Sequence, residues 1–134
     1  MGTAVLPGML ARRRGTLIFV GSEVALRQRP HMGAYGAAKA ALVAMVSNLQ
    51  MELERTGVTA SIVHPGPTRT NMGTNVAPET VGPLVEDLIK WGFARHDRDL
   101  AAADLARAIG FVAETPRGAY IASMLLVPEA PLSE

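Results

Sequence analysis

Hydrophobic residues fall into two kinds of segment along this chain: short, nearly continuous runs and longer stretches with a helical period. The runs at 16–21, 58–63 and 119–127 are rich in apolar and β-branched side chains, which is typical of strands buried on both faces of a parallel sheet. From 34 to about 56, apolar residues recur at intervals of three and four, which predicts a helix ended at Gly57. This strand–helix–strand order predicts a βαβ unit with a right-handed crossover.

Weaker patterns account for the flanking segments. Residues 4–14 predict the last turns of a helix that Gly15 ends, because a glycine adopts the left-handed backbone of a helix terminus without strain. Residues 102–114 predict another helix. Residues 22–33 show no sustained period and contain proline and glycine, so we predict a loop there.

A long connection separates the second strand from the last helix. It covers residues 68–96, with a short helix predicted at 83–91, and connections of this length are usually lids or binding loops. Together the elements predict an α/β fold of three parallel strands with covering helices. We interpret residues 1–134 as a single, partial Rossmann-like domain that corresponds to half of a doubly wound sheet.

The composition excludes several classes of protein. With 13 Lys and Arg against 12 Asp and Glu, the formal net charge is +1, which argues against a nucleic-acid or polyanion binder. At 49% hydrophobic and 19% charged residues, the chain is too apolar to be a disordered tail, and without cysteine it has no disulfide or thiolate chemistry. No apolar stretch approaches the roughly 20 residues of a membrane span, and no secretory leader is recognisable. We therefore expect a soluble, cytoplasmic protein with no nucleic-acid or membrane partner.

Two side chains that suit acid–base chemistry lie on one face of the predicted 34–56 helix. Tyr35 and Lys39 are four residues apart, and an ammonium group close to a phenol favours the phenolate form. Taken alone this spacing is common, and a half-buried tyrosine beside a solvated lysine is its ordinary explanation. However, Ser22 follows the first strand and residues 64–70 follow the second. Since the carboxyl ends of parallel strands form the ligand crevice of open α/β sheets, we expect these groups to converge there.

The histidines and large aromatic residues give weaker indications. His31, His64 and His96 have neither the spacing nor the neighbouring carboxylates of metal ligands, so we expect no metal site. We expect His64 at most to line the crevice, because its strand ends there. Trp91 and Phe93 either cap a substrate pocket or serve ordinary packing.

Four segments carry a further pattern. They are Leu-Pro-Gly-Met at 6–9, Gly-Thr-Leu-Ile at 15–18, Ala-Tyr-Gly-Ala-Ala-Lys at 34–39, and Pro-Gly at 65–66 with Thr70. Ser22 precedes Tyr35 by thirteen positions. In this order and spacing the segments resemble the short-chain dehydrogenase/reductase family, in which a catalytic serine precedes a Tyr-x-x-x-Lys motif. The resemblance covers about residues 6–127 and is loose after Met72.

The resemblance implies an NAD(P)-dependent oxidoreductase that interconverts an alcohol and a carbonyl on a small molecule by hydride transfer. It implies that Tyr35 is the general acid or base, that Ser22 hydrogen-bonds the reacting oxygen, and that Lys39 stabilises the phenolate and holds the nicotinamide ribose. Four positions match those at which the family meets the nicotinamide end of the cofactor: Pro65, Gly66, Thr68 and Thr70. Tyr35 and Lys39 also belong to the cofactor-binding set. The resemblance further implies a homo-oligomer formed through the 34–56 helix.

The phosphate-binding part of that fold is missing from the sequence. The 13 glycines form no Gly-x-Gly-x-x-Gly motif, and the residues that distinguish NAD from NADP would precede Met1. We therefore interpret the chain as the C-terminal half of such an enzyme, with an open edge on its first strand that favours oligomerisation or aggregation. It is either the catalytic half of an oxidoreductase or a truncated, non-catalytic remnant that serves in oligomerisation. An epimerase or dehydratase with the same three residues is a less favoured interpretation.

Overall fold

A computed structural model describes residues 2–71 and 77–132 of the chain. Its elements follow in the order α1 (Gly2–Ala11), β1 (Gly15–Val20), a 3₁₀ turn (Glu23–Ala25), α2 (Gly33–Glu52), β2 (Val58–Pro65), α3 (Pro78–Lys90), α4 (Ala102–Ala113) and β3 (Ser123–Leu126). The predicted α/β fold of three parallel strands with helices is confirmed.

The three strands form one parallel sheet in the order β1-β2-β3. β1 and β2 are in register from Gly15 opposite Val58 to Val20 opposite Val63, so their carboxyl ends lie side by side. Helix α2 connects them, which gives the predicted βαβ unit. Because all three strands run in the same direction, the segments that follow them meet at one edge of the sheet.

The hydrophobic core lies between α2 and one face of the sheet. Val46 of α2 and Leu53, the residue that directly follows α2, pack with Val58, Ala60 and Ile62 of β2, and all five are buried. Every second residue of β2 belongs to this cluster because side chains alternate between the faces of a strand. Partly buried side chains of α1, α2 and β1 extend it: Leu6, Met9, Leu17, Phe19, Leu42, Val43 and Leu49. Each buried valine or leucine contributes about 1.5–3 kcal/mol, so the core holds α2 against the sheet.

Helix α4 contacts the sheet separately from this core. It touches both β1 and β2, and its Val112 is buried but lies outside the α2 cluster. The alternation of side chains leaves the second face of the sheet for this helix. Among the described residues, no helix combines the length and the apolar character that crossing a membrane requires.

Helix α1 ends earlier than predicted, at Ala11. Arg14 N donates to Met9 O at 3.1 Å, and Arg13 adopts a left-handed backbone with a φ of 50°, which is the pattern of a Schellman motif. The prediction that Gly15 ends this helix was therefore wrong. Gly15 instead begins β1, where a Cβ would lie 2.6 Å from the Met9 side chain, so its lack of a side chain permits close packing of α1 on β1.

Other boundaries also differ from the predictions. Helix α2 ends at Glu52 rather than at about 56, so Gly57 does not end it. Helix α3 starts at Pro78 rather than at 83, and it accommodates Pro83 inside it. Strand β3 is confined to Ser123–Leu126, the four residues that pair with β2, rather than covering 119–127. The segment predicted as a loop at 22–33 contains the 3₁₀ turn Glu23–Ala25.

Candidate active site

A cleft of about 450 Å³ opens at the carboxyl ends of β1 and β2. It brings together all the residues predicted for the site: Ser22, Tyr35, Lys39, Pro65, Gly66, Thr68 and Thr70. Further lining residues include Glu23, Arg29, Met32, Asp99 and Leu105. These side chains come from segments distant in sequence, so the parallel sheet, rather than any local motif, assembles the cleft.

Ser22 caps the 3₁₀ turn that follows β1. Its backbone is extended, with a φ of −165° and a ψ of 148°, and its Oγ accepts a hydrogen bond from Val24 N at 3.3 Å. The residue is buried, and its carbonyl oxygen lies 3.2 Å from Nδ1 of His64. Because Oγ uses a lone pair for Val24 N, the hydroxyl proton remains available for an acceptor in the cleft.

Tyr35 and Lys39 project from the first turns of α2. Lys39 Nζ lies 5.8 Å from the centroid of the Tyr35 ring and donates a hydrogen bond to Val20 O at 3.0 Å. This bond ties α2 to the last residue of β1. The sheet therefore holds the ammonium group beside the Tyr35 ring.

The segment after β2 forms the opposite wall of the cleft. Gly66 N donates to Leu126 O at 2.7 Å, and Thr68 Oγ1 donates to Gly66 O at 2.9 Å. A Cβ at Gly66 would lie 3.0 Å from Glu23 Oε2. The absence of a side chain at this position therefore lets the segments after β1 and β2 approach closely.

A backbone bridge joins the two ends of the long connection between β2 and α4. Thr68 pairs with Leu100 in parallel, Leu100 N donates to Pro67 O at 2.8 Å, and Arg69 N donates to Leu100 O at 2.9 Å. Leu100 is buried. The connection therefore leaves and rejoins the fold at the wall of the cleft, which sequence periodicity did not indicate.

A partly buried ion pair lies beside Ser22 in the cleft wall. Arg29 Nη2 donates to Glu23 Oε2 at 2.6 Å, and the two side chains are 11% and 17% exposed. Arg29 Nε is buried without a hydrogen-bond partner in the described part of the chain. The guanidinium carbon also lies 5.5 Å from the centroid of the Phe93 ring. The sequence analysis missed this pair because two charges six residues apart in an aperiodic segment carry no distinctive signal.

Two contacts attach the region of α3 to the segment before α2. The Arg27 guanidinium carbon lies 4.3 Å from the Phe93 ring centroid, and His31 Nε2 lies 2.7 Å from Asp87 Oδ2. Trp91 is largely exposed, and neither it nor Phe93 lines the cleft. Of the two alternatives for Phe93, packing against arginine side chains is the one observed.

The histidines form no metal site in the described residues. Within 2–71 and 77–132, no three His, Asp or Glu side chains are grouped so that they would hold a metal ion. The expectation that His64 lines the cleft was wrong, because its ring is buried between the ends of β1 and β2 and does not reach the cavity.

A larger cavity, of about 800 Å³, lies at the amino ends of the strands. Thr16, Thr59 and Tyr120 are among its lining residues, and it contains none of the residues predicted for chemistry. No lysine is among the residues that line this cavity with Tyr120. Because open α/β sheets bind ligands at the carboxyl ends of their strands, the smaller cleft is the candidate active site.

Comparisons with known proteins agree with this geometry. Residues 1–80 match the family model described as short chain dehydrogenase. The vibriobactin-specific 2,3-dihydro-2,3-dihydroxybenzoate dehydrogenase of Vibrio cholerae is 41% identical over 112 residues, which are 81% of this chain and 43% of that protein. The chain spans about half the length, or less, of the curated relatives that it matches.

Two solved structures share the fold. The closed form of serine dehydrogenase complexed with NADP⁺ superposes with a TM-score of 0.77 and 26% identity, covering 100% of this chain and 54% of that one. An oxidoreductase of the short chain dehydrogenase/reductase family from Burkholderia thailandensis superposes with a TM-score of 0.74 and 35% identity. The match covers 92% of this chain and 47% of the Burkholderia chain.

Proposed function

The chain belongs to the short-chain dehydrogenase family, and from this premise we propose that it carries the catalytic part of a nicotinamide-dependent oxidoreductase that interconverts an alcohol and a carbonyl. Its fold is the Rossmann type of its structural relatives, which include oxidoreductases. The observation that carries the proposal is the convergence of Ser22, Tyr35 and Lys39 on one cleft, with Lys39 tied to β1.

In the proposed mechanism, Tyr35 moves the proton. In the reduction direction its phenol donates a proton to the carbonyl oxygen, and in the oxidation direction its phenolate removes the hydroxyl proton. Ser22 donates a hydrogen bond from Oγ to the same oxygen, which stabilises the negative charge that develops there. Lys39 places its ammonium group 5.8 Å from the centroid of the Tyr35 ring. The chemistry that a nicotinamide cofactor would supply when bound here is hydride donation in reduction and hydride acceptance in oxidation.

The residues present fit the nicotinamide end of NAD or NADP. An ammonium group has three donors, and the described contacts of Lys39 use one of them on Val20 O, so the others are directed to ribose hydroxyls in this proposal. Pro65, Gly66, Thr68 and Thr70 form the wall that would meet the carboxamide, with backbone groups and two threonine hydroxyls. The NADP⁺ complex of the structural relative supports this class of cofactor. The sequence has no glycine-rich diphosphate turn, so the proposal for these residues is limited to the nicotinamide end.

We also propose that two copies associate through α2. Its outer surface exposes Met45 at 47% and Met51 at 64%, together with small side chains: Ala37, Ala41 and Ala44. Exposed apolar side chains on one helix favour association with another apolar surface. Met45→Glu should therefore shift the chain toward monomer in sedimentation equilibrium, whereas an unchanged mass distribution would contradict the α2 interface.

The proposed chemistry is tested by two tyrosine variants of the full chain. Dinucleotide binding is measured by calorimetry with NAD⁺ and NADP⁺, and turnover by nicotinamide absorbance over a panel of small alcohols and carbonyl compounds. Tyr35→Phe should lower kcat by at least about 100-fold, since general acid–base groups typically contribute 10²–10⁴-fold. Tyr120→Phe is the matched control, because this tyrosine lies at the opposite edge of the sheet.

Two outcomes decide against the proposed function. If the chain binds a dinucleotide and turns over a substrate but Tyr35→Phe leaves kcat unchanged, the role of Tyr35 is wrong. If no dinucleotide binds and the chain associates with a full-length member of the family, the alternative of a non-catalytic oligomerisation module is favoured. This alternative is worth testing because the chain spans only 43% of the length of its Vibrio cholerae relative.

A further inference from the structure

A buried histidine lies directly beneath the proposed catalytic serine. His64 is the penultimate residue of β2 and is 1% exposed, although its neighbours in the strand core are apolar. A buried polar ring requires a hydrogen-bond partner to offset the cost of leaving water. Its Nδ1 lies 3.2 Å from Ser22 O. Because a carbonyl oxygen only accepts, this contact requires Nδ1–H to donate a hydrogen bond to Ser22 O.

The contact depends on the glycine between β1 and Ser22. A Cβ at Gly21 would lie 2.8 Å from His64 Nδ1 and 3.1 Å from Ile62 Cδ1. Gly21 N in turn donates to Val63 O at 2.7 Å. The chain leaving β1 is therefore held at two successive groups, the amide of Gly21 and the carbonyl of Ser22.

The carbonyl and the hydroxyl of Ser22 are both tied to neighbouring groups. Ser22 O lies within hydrogen-bond distance of His64 Nδ1 and accepts from Ala25 N at 3.1 Å, and Val24 N donates to Ser22 Oγ. We propose that His64 is a positioning residue for Ser22: through the Nδ1–H···O bond it holds the serine hydroxyl in line with the cleft. The inference rests on the proposed function, in which Ser22 hydrogen-bonds the reacting oxygen.

Three substitutions separate positioning from packing. In His64→Asn the side-chain amide nitrogen takes the place of Nδ1 and preserves the donor. In His64→Gln the amide lies one carbon further out, near the place of Nε2, and in His64→Leu the volume is filled without any donor. We expect His64→Leu and His64→Gln to lower kcat by about tenfold or more with little change in KM, because small misplacements of catalytic groups reduce rates strongly. His64→Asn should restore kcat to within about threefold of the parent.

A double mutant tests whether the effect passes through the serine. Residues that act as a unit are not additive, so His64→Leu should cause little further loss of kcat in a Ser22→Ala background. Equal losses in both backgrounds would overturn the proposal, as would a His64→Asn chain as impaired as His64→Leu. Thermal unfolding of each variant identifies any that fails to fold. If His64→Leu does not fold, the kcat of His64→Asn relative to that of the parent decides whether the proposal stands.

A direct readout does not depend on turnover. At pH 8, where an ordinary histidine is neutral, ¹⁵N–¹H correlation spectra of the full chain should show the His64 ring protonated at Nδ1. Protonation at Nε2 alone would overturn this inference. A parent chain that binds no dinucleotide would instead overturn the proposed function, so the two failures are distinguishable.

Discussion

Replacing Arg29 by methionine should leave the carboxylate of Glu23 in the cleft wall without its partner. The two groups are joined by one contact of 2.6 Å, and their side chains are 11% and 17% exposed. Methionine preserves most of the apolar length of the arginine side chain but removes the guanidinium group, whose carbon lies 5.5 Å from the centroid of the Phe93 ring. The substitution therefore removes mainly the charge and the hydrogen bond.

The expected cost lies between those of surface and interior ion pairs. Breaking a fully buried pair by removing one partner costs about 3–5 kcal/mol, whereas exposed pairs contribute about 0–1 kcal/mol. Because both side chains retain some exposure, we expect Arg29→Met to lower the free energy of unfolding by about 2–3 kcal/mol. For a domain of this size that corresponds to a fall in Tm of roughly 6–12 °C.

Urea denaturation followed by circular dichroism measures this difference, and the chain supplies a control. Arg107 pairs with Asp104 on the surface of α4, and its side chain is 74% exposed, so Arg107→Met should cost at most about 0.5 kcal/mol. The double variant Glu23→Leu/Arg29→Met removes both charges and should recover most of the lost stability. An Arg29→Met chain no less stable than Arg107→Met, or a double variant that is simply additive, would refute the reasoning.

Three further substitutions test other parts of the structure. Gly57→Ala should lower the free energy of unfolding by more than about 2 kcal/mol in urea denaturation, because Gly57 has a φ of 84° and an added Cβ would lie 2.3 Å from a backbone oxygen. Gly110 lies inside α4 with open space around it, so Gly110→Ala should raise the free energy of unfolding by about 0.5–1 kcal/mol. Ser61→Ala should be neutral or stabilising by up to about 1 kcal/mol in the same assay, because among the described residues its buried Oγ has no hydrogen-bond partner; a loss above 1 kcal/mol contradicts this. Lys39→Met should weaken dinucleotide binding in calorimetry and lower turnover, while the exposed Lys90→Met on α3 should change neither.

The elements fixed by short-range patterns could be predicted from the sequence. The apolar run of β1, the helical spacing along α2 and the second run of β2 each lie within one element, and their order predicts the parallel pairing. The convergence of Tyr35 and Ser22 followed from that pairing, because parallel strands place their carboxyl ends together.

Features that depend on contacts between distant segments could not be predicted in this way. The bridge between Thr68 and Leu100 and the bond from Lys39 to Val20 O exist only once the sheet is formed. His64 is an instructive intermediate case. A polar residue in the buried register of an apolar strand, directly before Pro65, was a visible signal of a partner, but only the folded chain identifies that partner as Ser22.

The late position of β3 in the sequence has a consequence for biosynthesis. Gln50 Nε2 donates to Ala60 O at 3.0 Å and to Ala122 O at 2.9 Å, so one side chain of α2 joins β2 to the segment that enters β3. On the ribosome, β1, α2 and β2 emerge well before Ser123, and at about 5–20 residues per second the intervening segment takes several seconds to be made. During that interval the outer edge of β2 has no strand beside it and Gln50 lacks one of its two acceptors. The nascent chain therefore exposes an open strand edge until β3 pairs with β2, and such an edge can pair with another chain.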